Sequence, residues 1–354
     1  MRLRLVGPVA ALVLSAGWFC YAPGSASAAA DNAAGGGGPY KLLRSQKVGG
    51  EGPFDYVYAD SDGRKLYVPR GDRVSVFDLD TLKPLAEIPG AAGARGVAVD
   101  PASGHGFCSS KPLVMWDTKT LKTIKTIDVD GAPDGIFFEP MTKHVFVFSH
   151  RAPNATVIDP KGGNVVGTVD LGGAPEQAAS DGKGRMYVAI EDKDDVAVVD
   201  LKALKVLAHY DLAGKGGGPA GLAMDAKNGV IFACCRKPQN MVALSAKDGS
   251  VIAALPIGAG SDGALFNPHT GEAFSSQRDG TLTVVKETAP GQFAVEQTVQ
   301  TRAGAKTCTL DSKTDQIYLI TADRAPAADG GQGGRRGQMV PGSFTILVVG
   351  KEGA

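Results

Sequence analysis

Neither sign of charge is in excess in this chain of 354 residues: lysine and arginine together number 37, and so do aspartate and glutamate. Without a basic surplus nothing points to nucleic acid or to an anionic membrane surface. Helix-period patterns of useful length are missing after the first 30 residues, so many short strands joined by many turns are expected. Glycine, at 48 residues, supplies the turns. Beyond residue 28 there are four cysteines, Cys108, Cys234, Cys235 and Cys308, too few to staple a chain of this length. No H-E-x-x-H, nucleophile elbow or phosphate loop occurs, which removes the readily recognised catalytic classes. GAGSDG, from Gly258 to Gly263, has G-x-G-x-x-G spacing but precedes a strand and opens no helix. Asp60-Ser61-Asp62-Gly63 begins like a calcium loop and lacks the later acidic ligands, so it reads as a polar turn.

What is present is a repeat. From Lys65 to Ile88 the chain reads KLYVPRGDRVSVFDLDTLKPLAEI, three short alternating strands punctuated by turns. A close relative, RMYVAIEDKDDVAVVDLKALKVLAHYDL, runs from Arg185 to Leu212. In this phase one aromatic marks the same strand in every copy: Tyr67, Phe107, Phe146, Tyr187, Phe232, Phe274 and Tyr318. Their separations of 40, 39, 41, 45, 42 and 44 residues define seven repeats.

Each repeat holds an innermost strand after a Gly/Pro turn, a tight polar turn, the aromatic strand, and a third and fourth strand. Such a meander is too small to bury both its faces alone, and radial stacking hides them, which is the logic of a propeller. The last repeat supplies three strands, the third being SFTILVV at 343–349, whereas an orphan strand, KLLRSQKV at 41–48, precedes the first. Pairing the two would complete seven four-stranded blades and leave no open ends. The expected fold is therefore all-β, a seven-bladed β-propeller over residues 40–350 closed by its N-terminal strand.

Ahead of it, residues 1–28 read as a secretory signal peptide. Arg2 and Arg4 form the positive start, Leu5 to Phe19 the apolar run, and Ala26-Ser27-Ala28 the small-residue end. The run is short for a membrane span. Residues 29–39 read as a flexible tether. The expectation is a periplasmic or secreted protein with no transmembrane span after cleavage, and a monomer. Without Arg2 and Arg4 the remainder carries 35 basic and 37 acidic residues and is close to neutral. Adjacent Cys234 and Cys235 point to opposite faces of a strand. They form either a vicinal disulfide or, the simpler expectation, two free buried thiols.

The pattern resembles the YVTN-repeat β-propellers, the YncE-like group of exported bacterial proteins. The matching residues are Leu66-Tyr67-Val68 with Val74-Ser75-Val76-Phe77-Asp78, and Met186-Tyr187-Val188 with Val196-Ala197-Val198-Val199-Asp200, each followed by a Leu-Lys turn (Leu82-Lys83, Leu204-Lys205). The resemblance covers residues 40–350 and implies the fold and an exported scaffold, with no shared reaction. Repeats 5 to 7 replace the closing Asp by Ser245, Lys286 and Gly350. Trp116 is the only tryptophan beyond the leader, so the repeating tryptophan signature of quinoprotein dehydrogenase propellers is lacking.

Propeller topology puts the loop into the first strand and the loop between the second and third strands on one face. One position per blade then rings the channel mouth: Asp55, Arg95, Asp134, Glu176, Ala220, Asp262 and Lys306. The second loops add Arg70, Lys111, His150, Arg151, Glu191, Asp192, Arg236, Gln277, Arg278 and Arg324 to that face. Of the five histidines only His150 is placed for chemistry. The candidate ligand-binding residues are Asp55, Arg95, Asp134, Glu176, Asp262, Lys306, His150 and Arg236; no catalytic residue and no metal ligand is assigned. Mixed signs suit a polar or zwitterionic small molecule. An insertion from Ala322 to Gly342 emerges on this face, either as a lid with Arg335 and Arg336 reaching inward or as a solvated linker.

Two functions follow from the ring. One is non-catalytic binding of a small polar ligand or a periplasmic protein partner. The alternative is a hydrolase, lactonase-like by similarity to other seven-bladed propellers. In that reading Asp55, Asp134, Glu176 or Asp262 serves as base or metal ligand, His150 as polarising group or proton shuttle, and Arg95 or Arg236 as holder of the oxyanion. A carboxylate cluster of this kind can also hold Ca²⁺ or another divalent cation. A third reading, a structural surface protein using its outer blade edges, predicts that the ring can be neutralised without loss.

Overall fold

The computed structural model describes residues 37–152, 154–326 and 337–352. The leader read at 1–28, most of the tether, and Arg335 and Arg336 lie outside the described residues. Among those that are described, the strands form seven four-stranded antiparallel sheets. Blades 1 to 6 are sequential meanders over residues 58–94, 97–127, 133–169, 175–211, 219–256 and 261–300. Blade 7 takes Cys308–Asp311, Gln316–Thr321 and Thr345–Lys351, and its fourth strand is Tyr40–Lys47 from the start of the ring. That pairing is antiparallel, with Ser45 opposite Leu347 and Tyr40 opposite Lys351. The N-terminal strand is thus the expected clasp. No helix among the described residues is long and apolar enough to cross a membrane.

The core is divided among the gaps between blades. Seven apolar clusters each join one neighbouring pair, and the cluster of Val57, Leu66, Val68, Tyr318, Ile320, Phe344 and Ile346 joins blade 7 to blade 1. All seven marker aromatics are buried on second strands. Strands two and three are mostly buried because both faces of each sheet are covered, and most are rich in apolar residues, although Glu272–Gln277 of blade 6 buries four polar side chains; fourth strands such as Thr123–Ile127 are mostly exposed.

The closing Asp of the typical repeats has a local cause. Asp78, Asp117 and Asp200 each accept a backbone N–H bond through Oδ1, from Thr81 at 2.7 Å, Thr120 at 2.7 Å and Ala203 at 2.8 Å. These bonds hold turns whose leucine (Leu82, Leu121 or Leu204) has positive φ. Blade 5 keeps only a longer bond from Lys247 N to the Ser245 hydroxyl, 3.3 Å.

Three innermost strands are shorter than the sequence pattern implies, spanning Tyr58–Asp60, Val97–Asp100 and Cys308–Asp311. Where the blades converge, the backbone before these strands also bonds sideways to a neighbouring blade. Tyr56 N donates to Arg95 O at 2.9 Å, the Thr307 hydroxyl to Asp55 O at 2.7 Å and the Ser276 hydroxyl to Lys306 O at 2.7 Å. The third strand of blade 7 runs two residues later than read, at Thr345–Lys351.

Cys108, Cys234, Cys235 and Cys308 are free and buried. Cys234 faces the cluster between blades 5 and 6, and Cys235 the one between blades 4 and 5. Burial pushes the thiols of Cys108, Cys234 and Cys308 up to about 12. A chain beginning at Ala29 is therefore expected to resist thiol reagents at pH 8 while folded and to react at all four positions once unfolded. A gain of two mass units on reduction would contradict this.

Candidate functional site

The ring positions lie where each blade meets the channel axis. In blades 3 to 6 the pairing of the first two strands slips at that point, between Pro133 and Ile136, Pro175 and Ala178, Pro219 and Gly221, and Ser261 and Gly263. A bulge there turns the side chain of Asp134, Glu176 or Asp262 out of the sheet toward the mouth. Glycine follows the ring position where the blades crowd: a Cβ on Gly135 would stand 3.0 Å from Glu176 O, and one on Gly221 2.8 Å from Ala264 N.

The expected residues meet. Asp55 accepts from Arg95 Nη1 at 3.0 Å and from Lys306 Nζ at 2.6 Å. Asp262 is paired with Lys306 and with Arg236, and stands 3.3 Å from Arg278 Nη2. Arg236 is also paired with Glu191, which lies in a single 3₁₀ turn, Glu191–Lys193. Glu176 accepts from the Tyr56 hydroxyl at 2.6 Å through Oε2. Its Oε1 lies 3.7 Å from both Arg236 Nη2 and His150 Nε2. His150 Nε2 is also 3.5 Å from Asp134 Oδ2. Apart from His150 and Glu191, these side chains line a cavity of about 240 Å³ at the mouth.

Burial sets the protonation chemistry. It pushes the Glu176 carboxyl up to about 7, against the Tyr56 hydrogen bond that lowers it. It also raises Asp134, reinforced by the charge on Asp55. Lys306 is buried too, which favours its neutral form, yet Asp262 and Asp55 outweigh that and hold it cationic. Tyr56 stays protonated well above its ordinary range because it is buried beside Glu176.

Not every second-loop residue joins the mouth. Gln277 is fully buried and accepts from Thr281 and Thr283, a structural role. Asp192 accepts from Ala174 N at 2.7 Å, and Lys111 donates to Gly131 O at 2.8 Å. Arg70 is buried with its guanidinium 3.9 Å over the Phe344 ring, under the clasp. Ala220 contributes no polar group, and Arg236 of the same blade serves in its place. Arg278, Arg302, Lys306, Arg324 and Phe54 line an adjoining cavity of about 560 Å³ at the base of the insertion. There Arg324 Nη1 donates to Gly337 O at 3.1 Å.

Two residues escaped the sequence reading. Tyr56 is the donor to Glu176, and Gln177 Oε1 accepts from Leu222 N at 3.1 Å and Ala264 N at 2.8 Å, bridging blades 4, 5 and 6 across the channel. Each follows a ring position in the chain, but only the bulges and shortened strands bring it to the axis.

Comparisons with models of known protein families and with curated proteins find no match for this chain. Fold and site together define a class: a closed seven-bladed propeller whose channel mouth carries a network of ionisable side chains.

Proposed function

We propose that this is an exported propeller of the YVTN-repeat, YncE-like kind that binds a small polar ligand at its channel mouth. The observation that carries this reading is that acids and bases from all seven blades converge on one cavity instead of dispersing into solvent. Ordinary solvated turn charges do not line a shared concavity, nor are they as buried as Asp55, Glu176 and Asp262. The adjoining cavity, with three arginines and Phe54, extends the space to that of a metabolite. The signal-like leader supports export to the periplasm or beyond.

Thermal-shift screening of residues 29–354 against polar metabolites and sugar lactones, with a chelator present, tests the proposal. Ligand at 100 times its Kd stabilises the folded state by about 2.7 kcal/mol, a rise of several degrees. The shift is expected to vanish in Asp134→Asn. A screen without hits, or a hit indifferent to that substitution, speaks for a protein partner or a structural role instead.

The hydrolase reading keeps one specific support: a buried carboxyl held near neutrality beside a histidine, in a cleft, suits acid–base chemistry. Turnover of a bound lactone, lost in Glu176→Gln, distinguishes it.

A further inference from the structure

We propose that Asp134, His150 and Glu176 bind one first-row divalent transition-metal ion, of the Zn²⁺ or Mn²⁺ type, at the channel mouth. The inference rests on reading the mouth as a binding site and assigns that site a ligand.

One donor atom from each of the three residues lies within 4.8 Å of the others. Two of the separations, 3.5 Å from His150 Nε2 to Asp134 Oδ2 and 3.7 Å to Glu176 Oε1, are too long for hydrogen bonds. They approach the spacing of neighbouring ligands around a tetrahedral ion, which stand about 3.4 Å apart when each bond is about 2.1 Å. The imidazole nitrogen is thus set between two carboxylate oxygens without bonding either.

The charges of the mouth point the same way. Its cations hydrogen-bond other acids: Arg95 pairs with Asp55, Lys306 with Asp55 and Asp262, and Arg236 with Asp262 and Glu191, while Arg236 approaches Glu176 Oε1 only to 3.7 Å. Asp134 and Glu176 are the two acids left without a cation within hydrogen-bond distance. Asp134 Oδ1 is moreover buried with no hydrogen-bond partner among the described residues. A buried carboxylate with one oxygen unpartnered is unfavourable while charged, and a cation on its other oxygen, Oδ2, would offset that charge.

The donors are also held in place. The Ser149 hydroxyl accepts from Ala132 N at 2.8 Å and donates to Arg151 O at 2.6 Å, tying the loop of His150 to the segment that leads into Asp134. Tyr56 fixes the far oxygen of Glu176, leaving Oε1 for the ion. One imidazole nitrogen with two carboxylates favours a first-row ion over Ca²⁺ or Mg²⁺, which take oxygen ligands. Water or a polar ligand in the mouth would complete the coordination.

The test is calorimetric titration of the untagged, chelator-stripped full chain with Zn²⁺, Mn²⁺ and Ca²⁺. One equivalent of Zn²⁺ or Mn²⁺ is expected to bind at micromolar Kd or tighter, at least tenfold tighter than Ca²⁺. His150→Ala and the isosteric Asp134→Asn should each weaken binding at least tenfold. His269→Ala, altering a histidine paired with Asp315 outside the cluster, should change nothing. Thermal midpoints in chelator confirm that each variant folds. Absence of binding at millimolar metal, preference for Ca²⁺, or affinity unaffected by both cluster substitutions would overturn the proposal. A polar-ligand hit in chelator, with no Zn²⁺ or Mn²⁺ binding in the titration, would remove the ion and leave the ligand-binding reading standing. One bound ion with no organic ligand in the screen would do the reverse.

Discussion

Removing the chain through Lys47 is expected to yield a protein that unfolds at much lower denaturant and associates in solution, not a slightly smaller stable propeller. Tyr40–Lys47 is the outermost strand of blade 7, and without it Thr345–Lys351 becomes an uncovered edge that is apolar almost throughout. The clasp also carries Tyr40, buried edge-on against Phe274 with ring centroids 5.2 Å apart. The Tyr40 backbone exchanges two bonds with Gln297 of blade 6, at 3.0 and 2.8 Å, and its hydroxyl donates to Glu272. A point substitution isolates part of this: Tyr40→Ala should cost about 3–5 kcal/mol, the range for deleting a buried aromatic. Tyr40→Phe, which keeps the packing and leaves a Glu272 oxygen without its donor, should cost about 1–3 kcal/mol. Denaturant unfolding and size-exclusion chromatography read both effects. A truncated chain that stays monomeric with an unchanged midpoint would mean that the ring does not depend on its clasp.

Stability of the chelator-treated protein is expected to fall as pH rises from about 4.5 to about 7, and Glu176→Gln should remove most of that slope. The sign follows from proton counting. Burial raises the Glu176 carboxyl from 4.5 in the unfolded chain to about 7 in the folded one. Between those values the folded state holds the extra proton, so rising pH favours unfolding. The contribution is complete below 4.5 and gone above 7, and a shift of this size corresponds to about 3 kcal/mol. Glutamine cannot ionise yet still accepts from Tyr56, so Glu176→Gln should be the more stable protein at pH 8 by up to that amount. Asp134, raised for the same reason, accounts for the slope that remains. Urea midpoints of both proteins at pH 5 and pH 8 decide the matter; parallel profiles would mean that Glu176 is ionised throughout.

The candidate site was legible in the sequence as positions and illegible as pairings. Counting from each innermost strand found Asp55, Arg95, Asp134, Glu176, Asp262 and Lys306, because a repeat with constant phase presents the same point of every blade to the axis. The reading of the loops between second and third strands placed Arg70 on the site face, whereas it lies buried over Phe344 in the closure between blades 7 and 1. Its neighbour there comes from the far end of the chain, which no local pattern reports. Tyr56 was passed over for the converse reason: in an alternating strand it belongs to the other face, and only the shortened strand of blade 1 lets its hydroxyl reach Glu176.

What the sequence by itself determined is the frame. Alternating strands, an aromatic about every 42 residues, turns held by aspartate, and an orphan strand matching a missing one leave little freedom, since an apolar strand must be covered on both faces and a ring covers all of them. What only the tertiary structure decided is which charges neutralise one another at the mouth. Those residues lie 16 to 251 positions apart, and their interactions depend on separations of about 3 Å in a buried setting, where a difference of about one ångström separates a hydrogen-bonded ion pair from a looser contact. That difference leaves Asp55 and Asp262 paired with cations, and Asp134 and Glu176 facing His150.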